Sequence, residues 1–156
     1  FPARESGKGA LRVNDTAGSM VKDSMFNAGS ALRKTFDIDL YNWDIHVNII
    51  GGGQIDGPSA GLAITLAVFS AITGLPLRQD VAVTGEVSLT GDVKAIGGIY
   101  EKIYGAKQAG MKTILVPSEN QKGIKEIRGI EVKYIRDLKD ALDCICPNWR
   151  ESAIGA

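Results

Sequence analysis

The feature that most constrains the fold is a glycine-rich segment placed between a strand pattern and a helix pattern. Residues Asp44–Ile50 alternate apolar and polar side chains, which predicts a β-strand. The run Gly51–Gly61 follows directly and contains five glycines. A helix is expected to resume from about the middle of this run, because Pro58 suits a first helical turn and Gly74 suits a helix end. The chain is therefore expected to contain a strand, a glycine-rich loop and a helix in direct succession.

Strand and helix patterns alternate through the rest of the chain, and together they predict the fold class. Further strands are expected at Ala10–Asn14, Val81–Val83, Val87–Leu89, Val93–Ile96, Thr113–Val116 and Ile130–Ile135. Further helices are expected at Thr16–Phe36, with Asp15 or Thr16 as N-cap, and at Tyr100–Ala109, Glu119–Ile127 and Asp137–Cys144. Alternating helices and strands favour parallel pairing, whereas a turn at Gly91-Asp92 predicts a hairpin. We therefore expect an α+β fold, a layered α/β arrangement with helices packed on a mixed sheet.

Composition restricts the class of protein and its partners. The 156 residues predict a single domain, and 18 basic against 18 acidic side chains argue against nucleic-acid binding through bulk positive charge. No apolar run reaches the roughly 18 residues of a membrane span, so no membrane contact is expected. Cys144 and Cys146 have no partner pair elsewhere, which argues against a zinc site and for free thiols in a reducing cytoplasm. The chain begins with Phe1 and no signal peptide, and we expect it to be part of a longer protein.

The glycine-rich run first suggests a phosphate-binding loop. Residues from Gly52 to Ser59 approach the pattern G-x-x-x-x-G-K-[ST], but Pro58 occupies the lysine position. This replacement removes the cation that contacts the terminal phosphates and also removes a backbone N–H donor. A nucleotide site in this loop is therefore disfavoured.

The same run also fits a nucleophile motif. Gly57-Pro58-Ser59-Ala60-Gly61 matches G-x-S-x-G, and a serine in the first helical turn lies near backbone N–H groups that can stabilise an oxyanion. An α/β-hydrolase requires a histidine after the serine, whereas the single histidine, His46, precedes it. Chain order thus excludes a Ser-His-Asp hydrolase of that family. The alternative is that Ser59 only caps the helix.

A lysine can replace histidine as the base if it is neutral near pH 7, which an apolar environment promotes. On the helix after Gly97-Gly98, an apolar stripe is formed by Ile99, Ile103, Ala106 and Gly110. Lys102 falls on the same face at helical spacing, so it is a candidate base. The alternative is that Lys102 extends past the edge of the stripe into solvent.

Several segments in the order of the chain resemble one known family, the Lon proteases. They are Asp56-Gly57-Pro58-Ser59-Ala60-Gly61, Val83–Gly91, Ile96-Gly97-Gly98-Ile99-Tyr100-Glu101-Lys102, Ile114–Pro117 and Glu119-Asn120. The resemblance covers Gly9–Leu142 and is specific to the proteolytic domain of the family. The glycine-rich loop before Asp56 is more similar to the B-type and related Lon branches.

This resemblance implies a fold and a set of roles. The fold is the Lon proteolytic-domain fold, which is similar to domain 2 of ribosomal protein S5. Ser59 and Lys102 would form a Ser-Lys dyad, with Ser59 attacking the peptide carbonyl and Lys102 taking its proton. Thr84 matches the threonine that orients the lysine amine. Asp56 matches the acidic residue that can pair with the lysine in a closed, inactive site.

The resemblance further implies a serine endopeptidase that cleaves unfolded protein segments through an acyl-enzyme. Family members carry an AAA+ ATPase domain and assemble as six-membered rings, so ATP and Mg²⁺ are expected only on an ATPase domain outside this chain. Residues 1–156 would be a single proteolytic domain without cofactor or metal, and without some upstream strands of the family. The alternative is a catalytically silent scaffold domain of the same fold, although such domains lack the Ser-Lys pair.

Overall fold

The fold is taken from a computed structural model that describes residues 2–3, 9–13, 18–48, 57–152 and 154. Its helices are α1 (Ser19–Phe36), α2 (Gly61–Thr73), α3 (Ile99–Gln108) and α4 (Leu138–Ile145). Its strands are β1 (Pro2–Ala3), β2 (Leu11–Val13), β3 (Asp44–Val47), β4 (Val81–Val83), β5 (Glu86–Val87), β6 (Val93–Lys94), β7 (Thr113–Pro117) and β8 (Glu131–Ile135). The predicted α+β class is confirmed.

Parallel and antiparallel pairing are divided between three small sheets in the described part of the chain. In the first sheet, β3 pairs in parallel with β2 and antiparallel with β1. The second sheet is parallel throughout and has the order β4-β7-β8. The predicted hairpin is confirmed as the antiparallel pair β5-β6, which forms a separate two-stranded sheet. The expected mixture of strand directions is therefore present.

The central strand β7 is buried along its whole length and separates two hydrophobic clusters. Successive side chains of a strand point to opposite faces. Accordingly, Leu115 belongs to the main core, whereas Ile114 and Val116 belong to a smaller cluster with Ile103 and Ala106 of α3. The parallel sheet thus has α3 on one face and the main core on the other.

The main core is closed by α1, α2 and α4. Phe36 at the end of α1 contacts Phe69 of α2 with ring centroids 5.1 Å apart, and it contacts Trp149 edge-on at 5.6 Å. Aromatic pairs in such tilted geometries stabilise a core beyond their buried area. These contacts fix α2, the helix that follows the glycine-rich run, against α1.

Some element boundaries differ from the prediction. Helix α1 begins at Ser19, with Gly18 at its N-cap and no side-chain cap; Asp15 and Thr16 lie outside the described residues. Strand β3 ends at Val47, and residues 49–56 are also outside the described part.

The predicted helix over Glu119–Ile127 is wrong. Only a short 3-10 turn, Ser118–Asn120, forms there. Gly123 has a φ of 87°, which is left-handed and ends helical geometry. The Tyr100 hydroxyl donates to Gly123 O and accepts from Lys125 N–H, so it engages backbone groups that a helix would pair internally. The segment is therefore an irregular loop held by α3.

Candidate active site

Ser59 lies in the short 3-10 turn Pro58–Ala60, which leads directly into α2. The N–H of Gly61 donates to Pro58 O, which closes this turn. The helix ends as expected at Gly74, whose left-handed conformation provides the C-cap. The predicted helical start around Ser59 is thus present as one tighter turn followed by α2.

Two backbone hydrogen bonds fix this turn to the segment between β4 and β5. The Gly85 N–H donates to Ser59 O over 3.1 Å, and Gly85 O accepts from Leu62 N–H over 3.0 Å. The preceding residue, Thr84, donates its N–H to Leu115 O of β7. Ser59 is therefore anchored to the parallel sheet through the main chain.

Gly85 allows this close approach because it has no side chain. A Cβ at this position would lie 2.7 Å from Cγ1 of Val93, which is buried and stiff, and the φ of 157° also disfavours a side chain. We expect Gly85→Ala to lower the free energy of unfolding by about 1–3 kcal/mol, measured by urea denaturation. Gly105→Ala is the matched control. Its Cβ meets nothing within 4 Å in the helix α3, so a gain of roughly 0.5–1 kcal/mol is expected. Equal effects of the two changes would contradict this account.

Lys102 lies in the first part of α3, where its N–H donates to Gly98 O over 3.1 Å. The expected apolar stripe is buried at Ile103 and Ala106, but Gly110 lies beyond the helix end and is exposed. The Lys102 side chain is exposed overall. The side chain therefore extends past the edge of the apolar stripe, as the alternative interpretation expected, but it also lines a pocket.

That pocket is open to solvent, has a volume of about 390 Å³, and brings together side chains from several elements. Ser59 comes from the turn before α2, Thr84 from the end of β4, and Lys102 from α3. The rest of its lining is small or apolar: Gly57, Ala60, Ala63, Ala82, Val83, Ala106 and Ile114. The three polar residues singled out from the sequence thus share one pocket, whereas Asp56 lies outside the described residues.

The pocket has few charged groups in the described part of the chain. Among the described residues that line it, Lys102 is the one ionisable side chain, and no carboxylate is present. A carboxylate beside the amine would favour the protonated, non-basic form. Glu86 of β5 and His46 of β3 are not among the lining residues. The described site therefore contains an alcohol, a hydroxyl-bearing neighbour and an amine in an apolar wall.

The apolar wall contains residues that sequence reasoning did not single out. Ala63 lies one turn after Ser59 on α2, and Ala82 lies in β4. Alanine is common in helices and strands, so neither position carried a signal of its own. The helical spacing from Ser59 would have placed Ala63 on the same face.

Outside the pocket, the two cysteines bear on metal binding and the helices bear on membrane binding. Cys144 lies in α4 and Cys146 at its C-cap, both as free thiols, and burial raises the pKa of each. Over the described residues, no group of three or more metal-ligating side chains is placed to hold a metal ion. Of the helices in the described ranges, none is both long enough and apolar enough to cross a bilayer.

Comparison with known proteins shows which family the chain belongs to. The family model described as the Lon protease (S16) C-terminal proteolytic domain matches residues 3–145. Lon protease 2 of Bacillus subtilis is 44% identical over 94% of the chain, and Lon protease of Geobacter metallireducens is 43% identical over 78%. Lon protease of Xanthomonas oryzae is 40% identical over 85%. The matched regions are 26%, 16% and 16% of these relatives, so the chain spans about a quarter of their length or less.

Proposed function

The chain belongs to the Lon protease (S16) family as its C-terminal proteolytic domain, a serine endopeptidase domain, and on this basis we propose that Ser59 and Lys102 are its catalytic pair. The observation that carries the proposal is that Ser59, Thr84 and Lys102 line one pocket although they come from three separate elements. A nucleophile and a base must share a site that a substrate can enter.

In the first step, Ser59 Oγ attacks the carbonyl carbon of the scissile peptide while Lys102 Nζ, in its neutral form, takes the hydroxyl proton. The tetrahedral intermediate then collapses, the C–N bond breaks, and Lys102 returns the proton to the leaving amine. The acyl group remains as an ester on Ser59. In the second step, water attacks this ester and gives a proton to Lys102, which passes it back to Ser59 Oγ as the acid product leaves.

Two further groups support this chemistry in the proposal. Thr84 is 4% exposed and lies at the pocket, which suits it to orient the amine of Lys102 through its hydroxyl. The backbone N–H of Ser59 lies in the first turn after Pro58, where helix geometry leaves a donor for the developing oxyanion. Asp56 is proposed to pair with Lys102 in a closed state, as the family resemblance implies.

The proposed substrate is an unfolded protein segment. The pocket walls are small and apolar, and β4 pairs only with β7 among the described strands. An extended peptide beside such a strand can be held mainly through its backbone, with apolar side chains against the alanines. Cleavage of unfolded chains of varied sequence is the expected consequence.

For the complete protein we propose the arrangement that family membership suggests. The proteolytic domain would work with an AAA+ ATPase domain that uses ATP and Mg²⁺, in a six-membered ring in the cytoplasm. The support is that the matched Lon proteases are several times as long as this chain. No cofactor, metal, membrane or nucleic acid is proposed to bind the proteolytic domain itself.

Covalent labelling tests the assignment against the silent-scaffold alternative. A peptidyl fluorophosphonate is expected to modify Ser59, because Ser59 Oγ would attack its phosphorus and displace fluoride, which leaves a stable phosphonate ester. The mass of the labelled tryptic peptide locates the adduct, and Ser59→Ala provides the unlabelled control. If the folded chain stays unmodified on Ser59 at inhibitor concentrations that label other serine peptidases, the scaffold function is favoured.

A further inference from the structure

Asn120 holds the main chain that leads into the helix carrying Lys102. Its side-chain Oδ1 accepts from the N–H of Ile96 over 3.0 Å, and its Nδ2 donates to Ile96 O over 2.9 Å. The backbone N–H and the backbone carbonyl of Ile96 are thus both bound by the side chain of Asn120, which lies 24 positions away in sequence. A two-bond clamp of this kind fixes orientation as well as distance.

The clamped segment has little conformational preference of its own. Ile96 is followed by Gly97 and Gly98, and Gly98 is the N-cap of α3 with a φ of 66°. Glycine visits many backbone conformations at small cost, so the direction in which α3 leaves this segment is not set locally. Lys102 N–H donates to Gly98 O, which places Lys102 one turn beyond the clamp.

Asn120 itself is attached to a rigid base. It ends the 3-10 turn Ser118–Asn120, which follows directly from the fully buried central strand β7. On the helix side, Ile103 packs in the smaller hydrophobic cluster against Ile114 and Val116 of the same strand. The packing holds one face of α3, and the two hydrogen bonds of Asn120 hold the segment before its N-terminal end. Both contacts therefore attach α3 to β7.

We propose that Asn120 is a positioning residue that holds the first turn of α3 so that Lys102 faces Ser59. This rests on the proposed function, in which these two residues form the catalytic pair. Lys102 is exposed and long, so small shifts of the helix start change where its amine lies in the pocket. Misplacement of a catalytic group by about 1 Å can cost roughly 100-fold in rate.

The test compares Asn120→Ala with Glu119→Gln in cleavage of a fluorogenic peptide and of a reduced, alkylated protein. Glu119 is the adjacent residue and makes an exposed ion pair with Lys94 at 3.6 Å, so its change is expected to alter kcat by about twofold or less. For Asn120→Ala we expect kcat to fall by roughly 10- to 100-fold, with KM within about twofold.

Asn120→Asp serves as the conservative variant. Its carboxylate can still accept from Ile96 N–H but cannot donate to Ile96 O, so a rate between those of the parent and Asn120→Ala is expected. If Asn120→Ala does not fold, a loss of kcat with little change in KM is read from Asn120→Asp. The variant used for the kinetics should have a melting temperature close to that of the parent. Its loss of rate then reflects positioning and not loss of the fold.

The outcomes distinguish this inference from the function on which it rests. If the parent and Glu119→Gln show no cleavage that depends on Ser59, the proposed function is rejected. If the parent is active and Asn120→Ala has an unchanged kcat, the positioning role is overturned. A loss of rate that merely follows loss of folded protein in both Asn120 variants overturns it as well.

Discussion

Ser59→Ala is expected to lower the rate of peptide cleavage by about 10⁴-fold or more, because it removes the atom that forms the acyl-enzyme. Ser59 lines an open pocket and is only half-buried. The substitution should therefore leave the free energy of unfolding within about 0.5 kcal/mol of the parent. Steady-state cleavage and urea denaturation measure the two effects separately.

Ser30→Ala is a suitable control for this experiment. Ser30 lies on α1 and does not line the Ser59 pocket, so full activity is expected. Cleavage by Ser59→Ala at more than a tenth of the parental rate would mean that the acyl-enzyme is not formed on this serine. A contaminating peptidase is detected in the same assay, because its activity would not fall in either variant.

Lys102→Met is expected to have an effect of similar size, with a loss of about 10³- to 10⁴-fold in kcat. Methionine keeps the length of the side chain but cannot accept a proton. Steady-state cleavage of a fluorogenic peptide measures this loss.

Lys107→Met is the matched control, because Lys107 lies on the same helix and outside the pocket, with its methylene groups near Gly129. Activity near that of the parent is expected for it. The double variant Ser59→Ala/Lys102→Met should be about as slow as either single variant, since residues that act as a unit are not additive. If the loss of rate in the double variant equals the product of the two single losses, the two residues do not act as a dyad.

The strand before the glycine-rich segment and the helix after it were predictable because each has a local signal. Alternating side chains marked β3, and Pro58 and Gly74 marked the two ends of the helical segment. The shared pocket of Ser59 and Lys102 was implied by the family resemblance rather than by spacing. Periodicity placed Lys102 beside the buried stripe, but it could not predict how exposed the Lys102 side chain is. That exposure depends on how much of α3 is covered by β7.

The contacts around Asn120 were not predictable from local patterns. Its bonds to Ile96, and those of Tyr100 to Gly123 and Lys125, join side chains to main chain across more than 20 positions. Such bonds have no periodicity, and here they replace a helix that propensity favoured over Glu119–Ile127. The segment that was wrongly predicted as a helix therefore supplies the side chain that binds the main chain just before α3.

The division of the hydrophobic residues by β7 has a consequence for how the protein loses activity. Ser59 stands on the side of the large core, whereas Lys102 stands on a helix held by the smaller cluster. Regions with fewer buried contacts open at lower free energy than the whole molecule. We expect amide protons of α3 to exchange faster than those of α2, and catalytic competence to vanish under mild denaturant before global unfolding begins. Inactivation and denaturation would then be two separate transitions of one chain.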